Sequence, residues 1–191
     1  MMIPLMYIPG LIKNSKTQGD KMKLKNIIII IVVLTLAMSL SAEKKFTNFK
    51  LEDAKGKVFQ LKDFLDKGPI VVDFWATYCD PCKKALPHLE ELKDEYKDIQ
   101  VVAISIDNPR LKRKAIAYIK SKKFAFTTLY DSDSKIADKM QVKEIPYTFL
   151  LNEKGEIVFE FSSGKPGSID VLKAEINKLI TPAPEVAEEE E

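Results

Sequence analysis

Two cysteines and one histidine are all that 191 residues contain. That scarcity excludes a disulfide-stapled scaffold, which scatters cysteines along its chain, and a zinc centre, which needs four ligands. Cys79 and Cys82 stand three residues apart, so a bond between them closes a loop too small to constrain the unfolded chain much. Reactivity is the better account of the pair, and neither a metal nor another cofactor is expected. His88, six residues beyond Cys82, falls outside the inward stripe of its helix and reads as a surface residue.

Charge of one sign is also scarce. Setting aside residues 1–42 and 181–191 removes five lysines, Asp20 and five glutamates, leaving 25 basic and 22 acidic residues, about +3. So mild a balance does not suggest a nucleic-acid partner. The apolar run at 27–40, IIIIIVVLTLAMSL, has 14 residues and is broken only by Thr35 and Ser39. It falls short of the roughly 18 apolar residues of a confident membrane span. Lys21, Lys23 and Lys25 precede it, and Ser39, Ser41 and Ala42 close it, which is the pattern of a secretory signal. Cleavage as a signal peptide and retention as a membrane anchor through 27–40 are both open. No cysteine near its end could carry a lipid, and Met22 is a more typical start for such a signal than Met1. The last eleven residues, TPAPEVAEEEE, hold two prolines and five glutamates and are expected to form a disordered acidic tail. The expected organisation is therefore an N-terminal extension with its export segment over 1–42, one folded domain over 43–180, and the tail over 181–191.

Within that domain, Phe46–Leu51 and Val58–Leu61 read as strands around Lys55-Gly56-Lys57, and Lys62–Asp66 as a short helix. Ile70–Trp75 and Val101–Ile106 are continuous apolar runs fit for strands buried on both faces. Between them a helix is predicted from Pro81 to Tyr96, with Cys82, Leu86, Leu89, Leu92 and Tyr96 inward at steps of three and four. Helix over Arg110–Lys122, strand over Phe126–Tyr130 and a short helix over Ser132–Met140, begun by a capping serine, follow. Tyr147–Leu151 and Glu156–Phe161 flank the turn Asn152–Gly155, and a last helix covers Ser168–Ile180. The fold class is α/β, with a sheet that is parallel in the middle and ends in an antiparallel hairpin.

The cysteine pair lies where a buried strand gives way to a helix. Helix N-termini carry unpaired N–H groups and about half a positive charge, which favours a thiolate. Cys79 is expected to be partly exposed, with a lowered pKa, as the nucleophile. Cys82, one turn on and on the inward stripe, is expected to be the buried resolving thiol, and Pro81 to stiffen the first turn. Asp73 is an ionisable residue within an otherwise apolar strand. Burial there costs several kcal/mol unless it is paired or neutral, so a raised pKa and proton transfer with Cys82 are expected. An aspartate facing solvent at a strand edge is the alternative.

VVDFWATYCDPC, followed by Lys83, Lys84 and Pro87, resembles the active-site segment of thioredoxin-fold proteins. Ile145-Pro146-Tyr147-Thr148-Phe149-Leu150 resembles the cis-proline loop of that family and its closing hairpin. The resemblance runs from about 46 to 180 and is strongest to the TlpA/ResA-like group of exported or membrane-anchored thiol–disulfide proteins. The leading hairpin KLEDAKGKVFQL, the extra helix and strand at 110–130 and the export segment all point there. The resemblance implies a thioredoxin-like fold, a cis Pro146 facing Cys79, and backbone at Ile145 that pairs with an extended substrate. Expected client-contact residues are Trp75, Tyr78, Asp80, Pro81, Ile145 and Pro146. Two positions depart from the group: Asp73, where asparagine is common, and Tyr78, where tryptophan is frequent.

Asp80, between the cysteines, should disfavour a thiolate and stabilise the disulfide, with Lys83 and Lys84 acting weakly the other way. The expectation is a monomeric extracytoplasmic reductase of client disulfides, recharged by a membrane thiol–disulfide donor. Apocytochrome c is a client implied by the resemblance alone. A peroxiredoxin is the competing enzyme, but its P-x-x-x-[ST]-x-x-C pattern meets Val72 and Ala76 here. A copper-delivery module would need wider cysteine spacing and a distant ligating histidine.

Overall fold

The computed structural model describes residues 44–180, apart from Ser163 and Pro166. Every described residue lies in the second of the chain's two units, Glu43–Glu191. The export segment and the acidic tail fall outside the described residues. Among those described, no helix is long and apolar enough to cross a membrane.

Seven strands form one sheet: β1 (Lys50–Glu52), β2 (Val58–Gln60), β3 (Ile70–Trp75), β4 (Gln100–Ser105), β5 (Thr127–Tyr130), β6 (Tyr147–Leu151) and β7 (Ile157–Ser162), in the spatial order β2-β1-β5-β4-β3-β6-β7. β3, β4 and β5 run parallel, while β6 returns antiparallel beside β3 and β7 pairs antiparallel with β6. All six residues of β3 are buried, as its unbroken apolar run predicts for a central strand covered on both faces. Helices α1 (Asp80–Glu95), α2 (Lys112–Lys122) and α4 (Ser168–Ile180) share one face, burying Leu86, Leu89, Leu92, Ala115, Leu172 and Ile176. The opposite face is closed by a 3-10 turn at Leu61–Asp63, by α3 (Lys135–Lys139) and by the aromatic group Phe46, Phe49, Phe64, Phe74 and Phe149. Each fully buried leucine or phenylalanine contributes about 2 kcal/mol.

Four local expectations change. The helix expected over Lys62–Asp66 is instead the 3-10 turn at Leu61–Asp63, with 64–66 in turn conformation. The predicted strand Phe46–Leu51 is regular only over Lys50–Glu52, because Phe46 and Phe49 dive into the core with their rings edge to face at 6.3 Å. The helix predicted from Arg110 begins at Lys112, since Asn108 Oδ1 accepts from the Arg110 and Leu111 N–H groups and holds the preceding turn. α3 is shorter than Ser132–Met140, and no serine side chain caps it. Ser134 at the N-cap makes no side-chain capping bond, whereas the buried Asp131 Oδ2 accepts from Ile136 N at 3.0 Å and Ala137 N at 2.9 Å. An acid at the end of β5 thus does the work assigned to the hydroxyl.

Desolvation by burial pushes the Asp131 carboxyl above its ordinary 3.8, against the two capping N–H groups that pull it down. Asp131→Ala is expected to lower stability by about 1–2 kcal/mol through loss of the cap. Asp131→Asn keeps an acceptor and removes the buried charge. Because the folded state holds this proton more tightly than the unfolded chain, the stability contributed by protonated Asp131 is present below pH 3.8 and lost as pH rises through the raised folded value. Denaturant unfolding should therefore show the Asn variant gaining on the parent as pH rises from that point, and a pH-independent difference would contradict it.

Candidate active site

β3 ends at Trp75 in the middle of the sheet, and the loop Ala76–Tyr78 delivers Cys79 to the N-cap of α1. Cys79 and Cys82 form a disulfide, with their Cα atoms 5.3 Å apart. The Cys82 backbone N–H points at Cys79 Sγ, 3.1 Å away, so a free donor of the helix end is aimed at this sulfur. Cys82 is fully buried, and Cys79 is 8% exposed. Cys79 is more enclosed than the sequence suggests, but it is the one residue of the pair with any exposed surface. Attack by an external thiolate therefore has one geometrically open target.

Sixty-six residues further on, the Ile145–Pro146 peptide bond is cis, and the Ile145 carbonyl oxygen sits 3.6 Å from Cys79 Sγ. In the disulfide this sulfur has no hydrogen to donate, so the approach is a contact that becomes a possible hydrogen bond only on reduction. Pro146 is buried and Ile145 half-buried. Gly164 lies across both prolines of the site: a Cβ there would stand 3.3 Å from Pro146 Cδ and 3.6 Å from Pro81 Cβ.

Asp73 is fully buried, so the solvent-facing alternative does not hold. Its register partner on β6 is Thr148, whose Oγ1 donates to Asp73 Oδ1 at 2.6 Å. Both line a cleft of about 450 Å³ between α1 and α4, with Pro81, Leu89 and Leu172 on its walls and Lys84 and His88 among its lining residues. A buried carboxylate thus faces a cleft adjoining the first turn of the cysteine helix.

The other expected contact residues divide by exposure. Tyr78 is 62% exposed beside Cys79, and Pro81 is exposed too. Asp80 is exposed and pairs with Lys83 Nζ at 2.6 Å, and the hydrogen bond and charge of that ammonium hold its carboxyl below the ordinary range. Trp75 has no exposed surface, with its ring 5.8 Å from that of Tyr118. It supports the loop from beneath and offers no face to a client. His88 sits on the surface, 3.0 Å from Glu91. Among the described residues no group of three or more potential ligands is gathered as a metal site.

Sequence reasoning passed over Thr77, Thr148, Gly164 and Asp107. Asp107 is buried at 1% exposure and ties the cysteine loop to the end of β4. An acid directly after the apolar run Val101–Ile106 was a visible sign, of the same kind as Asp73.

Residues 42–160 match the AhpC/TSA family. The thiol-disulfide oxidoreductase ResA of Halalkalibacterium halodurans is 31% identical over 143 residues, spanning 74% of this chain and 78% of that protein. ResA of Bacillus subtilis is 32% identical over 122 residues, 63% of this chain and 66% of that protein. Among solved structures, a thiol:disulfide interchange protein DsbE from Chlorobium tepidum superposes with a TM-score of 0.67 at 24% identity, covering 73% of this chain and 97% of that one, which shows the shared thioredoxin-like fold. With a C-x-x-C disulfide at the strand–helix junction, the chain belongs to the AhpC/TSA family as a thioredoxin-fold thiol–disulfide oxidoreductase of the TlpA/ResA-like group.

Proposed function

We propose that this oxidoreductase works outside the cytoplasm and reduces disulfides of client proteins, with Cys79 as nucleophile, Cys82 as resolving thiol and Asp73 as its base. In the reduced protein the Cys79 thiolate attacks a client disulfide, forming a mixed disulfide and releasing one client thiolate. Asp73 takes the proton of Cys82, whose sulfur then attacks Cys79 Sγ. The second client thiolate leaves, and the Cys79–Cys82 disulfide remains. Two electrons have passed to the client, and a membrane thiol–disulfide donor must return them. The observation that carries this reading is the unequal exposure of the two cysteine residues, 8% against 0%. The client chain is read as lying across Tyr78, Pro81 and the Ile145–Pro146 loop, where main-chain pairing beside Cys79 would hold it extended.

Direction rests on the residues between the cysteines. No histidine stands there to stabilise the thiolate, and Asp80 brings negative charge, although its pairing with Lys83 cancels part of that field. The basic, apolar and small-residue pattern of 21–42 supports export. Cytochrome c maturation is the role suggested by the resemblance to the TlpA/ResA-like group. Redox-buffer equilibration should give a potential near that of thioredoxin, roughly −270 mV. A value near roughly −120 mV would make the protein a disulfide donor and reverse the direction.

A further inference from the structure

Asp107 and Thr77 sit thirty residues apart in sequence and together in the fold. Thr77 N–H donates to Asp107 Oδ2 at 2.9 Å, and Thr77 Oγ1 donates to Asp107 Oδ1 at 2.7 Å. Ser105 Oγ donates to Oδ2 at 2.9 Å and accepts from the Asp107 N–H at 3.2 Å. All three residues are buried, at 1%, 3% and 0% exposure. Every hydrogen-bonding group that Thr77 can donate is therefore spent on one carboxylate. That carboxylate is fixed in turn by the last residue of β4, a strand paired through all six positions with β3.

These bonds add to restraints that the loop already has. Cys79 N–H already donates to the Ala76 carbonyl at 3.1 Å, and Ile106 N–H to the Trp75 carbonyl at 2.9 Å. What the Asp107 bonds add is a fixed orientation at the residue two before the nucleophile. From Thr77 the chain has only Tyr78, mostly exposed, before it must place Cys79 Sγ over the Cys82 N–H and opposite the Ile145 carbonyl. An in-line thiolate attack tolerates little misplacement, and a shift of one ångström can lower a rate about a hundredfold.

We propose that Asp107 is a positioning residue of the oxidoreductase, holding the Cys79 sulfur in its attacking orientation through the paired hydrogen bonds to Thr77. The inference rests on the reading of Cys79 as nucleophile and adds a requirement that the helix end does not supply. The helix end stabilises the thiolate; Asp107 aims it.

The amide of asparagine has the same shape as the carboxylate. Its oxygen can accept from Thr77 N–H and Ser105 Oγ, while its NH2 donates to Thr77 Oγ1, which then accepts. Asp107→Asn therefore keeps the orientation and removes the charge, whereas Asp107→Ala removes both. Thr77→Val removes only the hydroxyl bond.

The test uses the full chain carrying Cys82→Ser, reduced, reacted with an aromatic dipyridyl disulfide across a pH series. The plateau rate at high pH reports the orientation of a fully formed thiolate, and the midpoint reports its pKa. Asp107→Ala is expected to lower the plateau about tenfold or more, and Thr77→Val about threefold, the size of one lost hydrogen bond. Asp107→Asn is expected to stay within about threefold of the parent. A purely structural role would lower the unfolding midpoint and leave the plateau of the folded protein unchanged.

A folded Asp107→Ala variant reacting at the parent's plateau overturns the proposal, as does Asp107→Asn losing as much as alanine. Should the alanine variant not fold, Thr77→Val at the parent's rate overturns it alone. A parent that does not react through Cys79 instead overturns the assignment of the nucleophile, and is recognised because no variant is needed to see it.

Discussion

Cys82→Ser is expected to turn the protein into a trap that accumulates mixed disulfides with its clients through Cys79, while Cys79→Ser abolishes both trapping and turnover. The reason is access. Cys82 has no exposed surface, and a client sulfur approaching along the strand–helix junction meets Cys79 first, beside the Ile145 carbonyl. Once the mixed disulfide forms, the only group positioned to break it from within is the sulfur one helical turn below. Serine lacks the nucleophilicity to do so, and the intermediate persists until an external thiol removes it. Non-reducing electrophoresis after alkylation, followed by identification of the captured chains, reads the result directly. Adducts through Cys82 in the Cys79→Ser variant would reverse the assigned roles. Captured proteins bearing export signals would support the extracytoplasmic setting, and cytochrome c precursors among them would support the maturation role.

The second large effect concerns Asp73. Asp73→Asn keeps the shape of the carboxylate and can still accept from Thr148 Oγ1, but it cannot take a proton. If Asp73 is the base for Cys82, resolution of a preformed mixed disulfide should slow about a hundredfold near neutral pH, the usual scale for a lost general base. The deficit should shrink as pH rises past about 8.5, where an ordinary thiol ionises unaided. Formation of the mixed disulfide, which uses Cys79 alone, should change little. Folding stability should hold or increase, because a carboxylate with no exposed surface is replaced by a neutral group. Stopped-flow measurement of the two steps separates them. Equal rates of resolution in parent and variant at neutral pH would leave Asp73 with a structural role only.

Most of the scaffold was readable along the chain because its causes are local. Ile70–Trp75 is a strand covered on both faces because nothing in it but Asp73 prefers water, and the α1 stripe of Cys82, Leu86, Leu89 and Leu92 follows from helical periodicity. The cysteine spacing, Pro81 in the first turn and the strand–helix junction together located the chemistry before any contact was known. Where local rules failed, a distant group had intervened. Phe46 and Phe49 left their predicted strand for a core built by β3 and β6, and Asp131 displaced a serine as the cap of α3.

The sequence by itself determined the fold class, the reactive pair and its place at a helix end. Periodicity and spacing report which face a residue takes and which neighbours it has within a turn or two. Only the tertiary structure decided who meets whom. Asp73 finds Thr148 across 75 residues, Cys79 finds the Ile145 carbonyl across 66, and Thr77 finds Asp107 across 30. It also sank Trp75 beneath the loop, away from any client, while leaving Tyr78 in the open. Those pairings depend on strand register and on the order in which the sheet assembles, and a register is a property of two strands that neither carries alone.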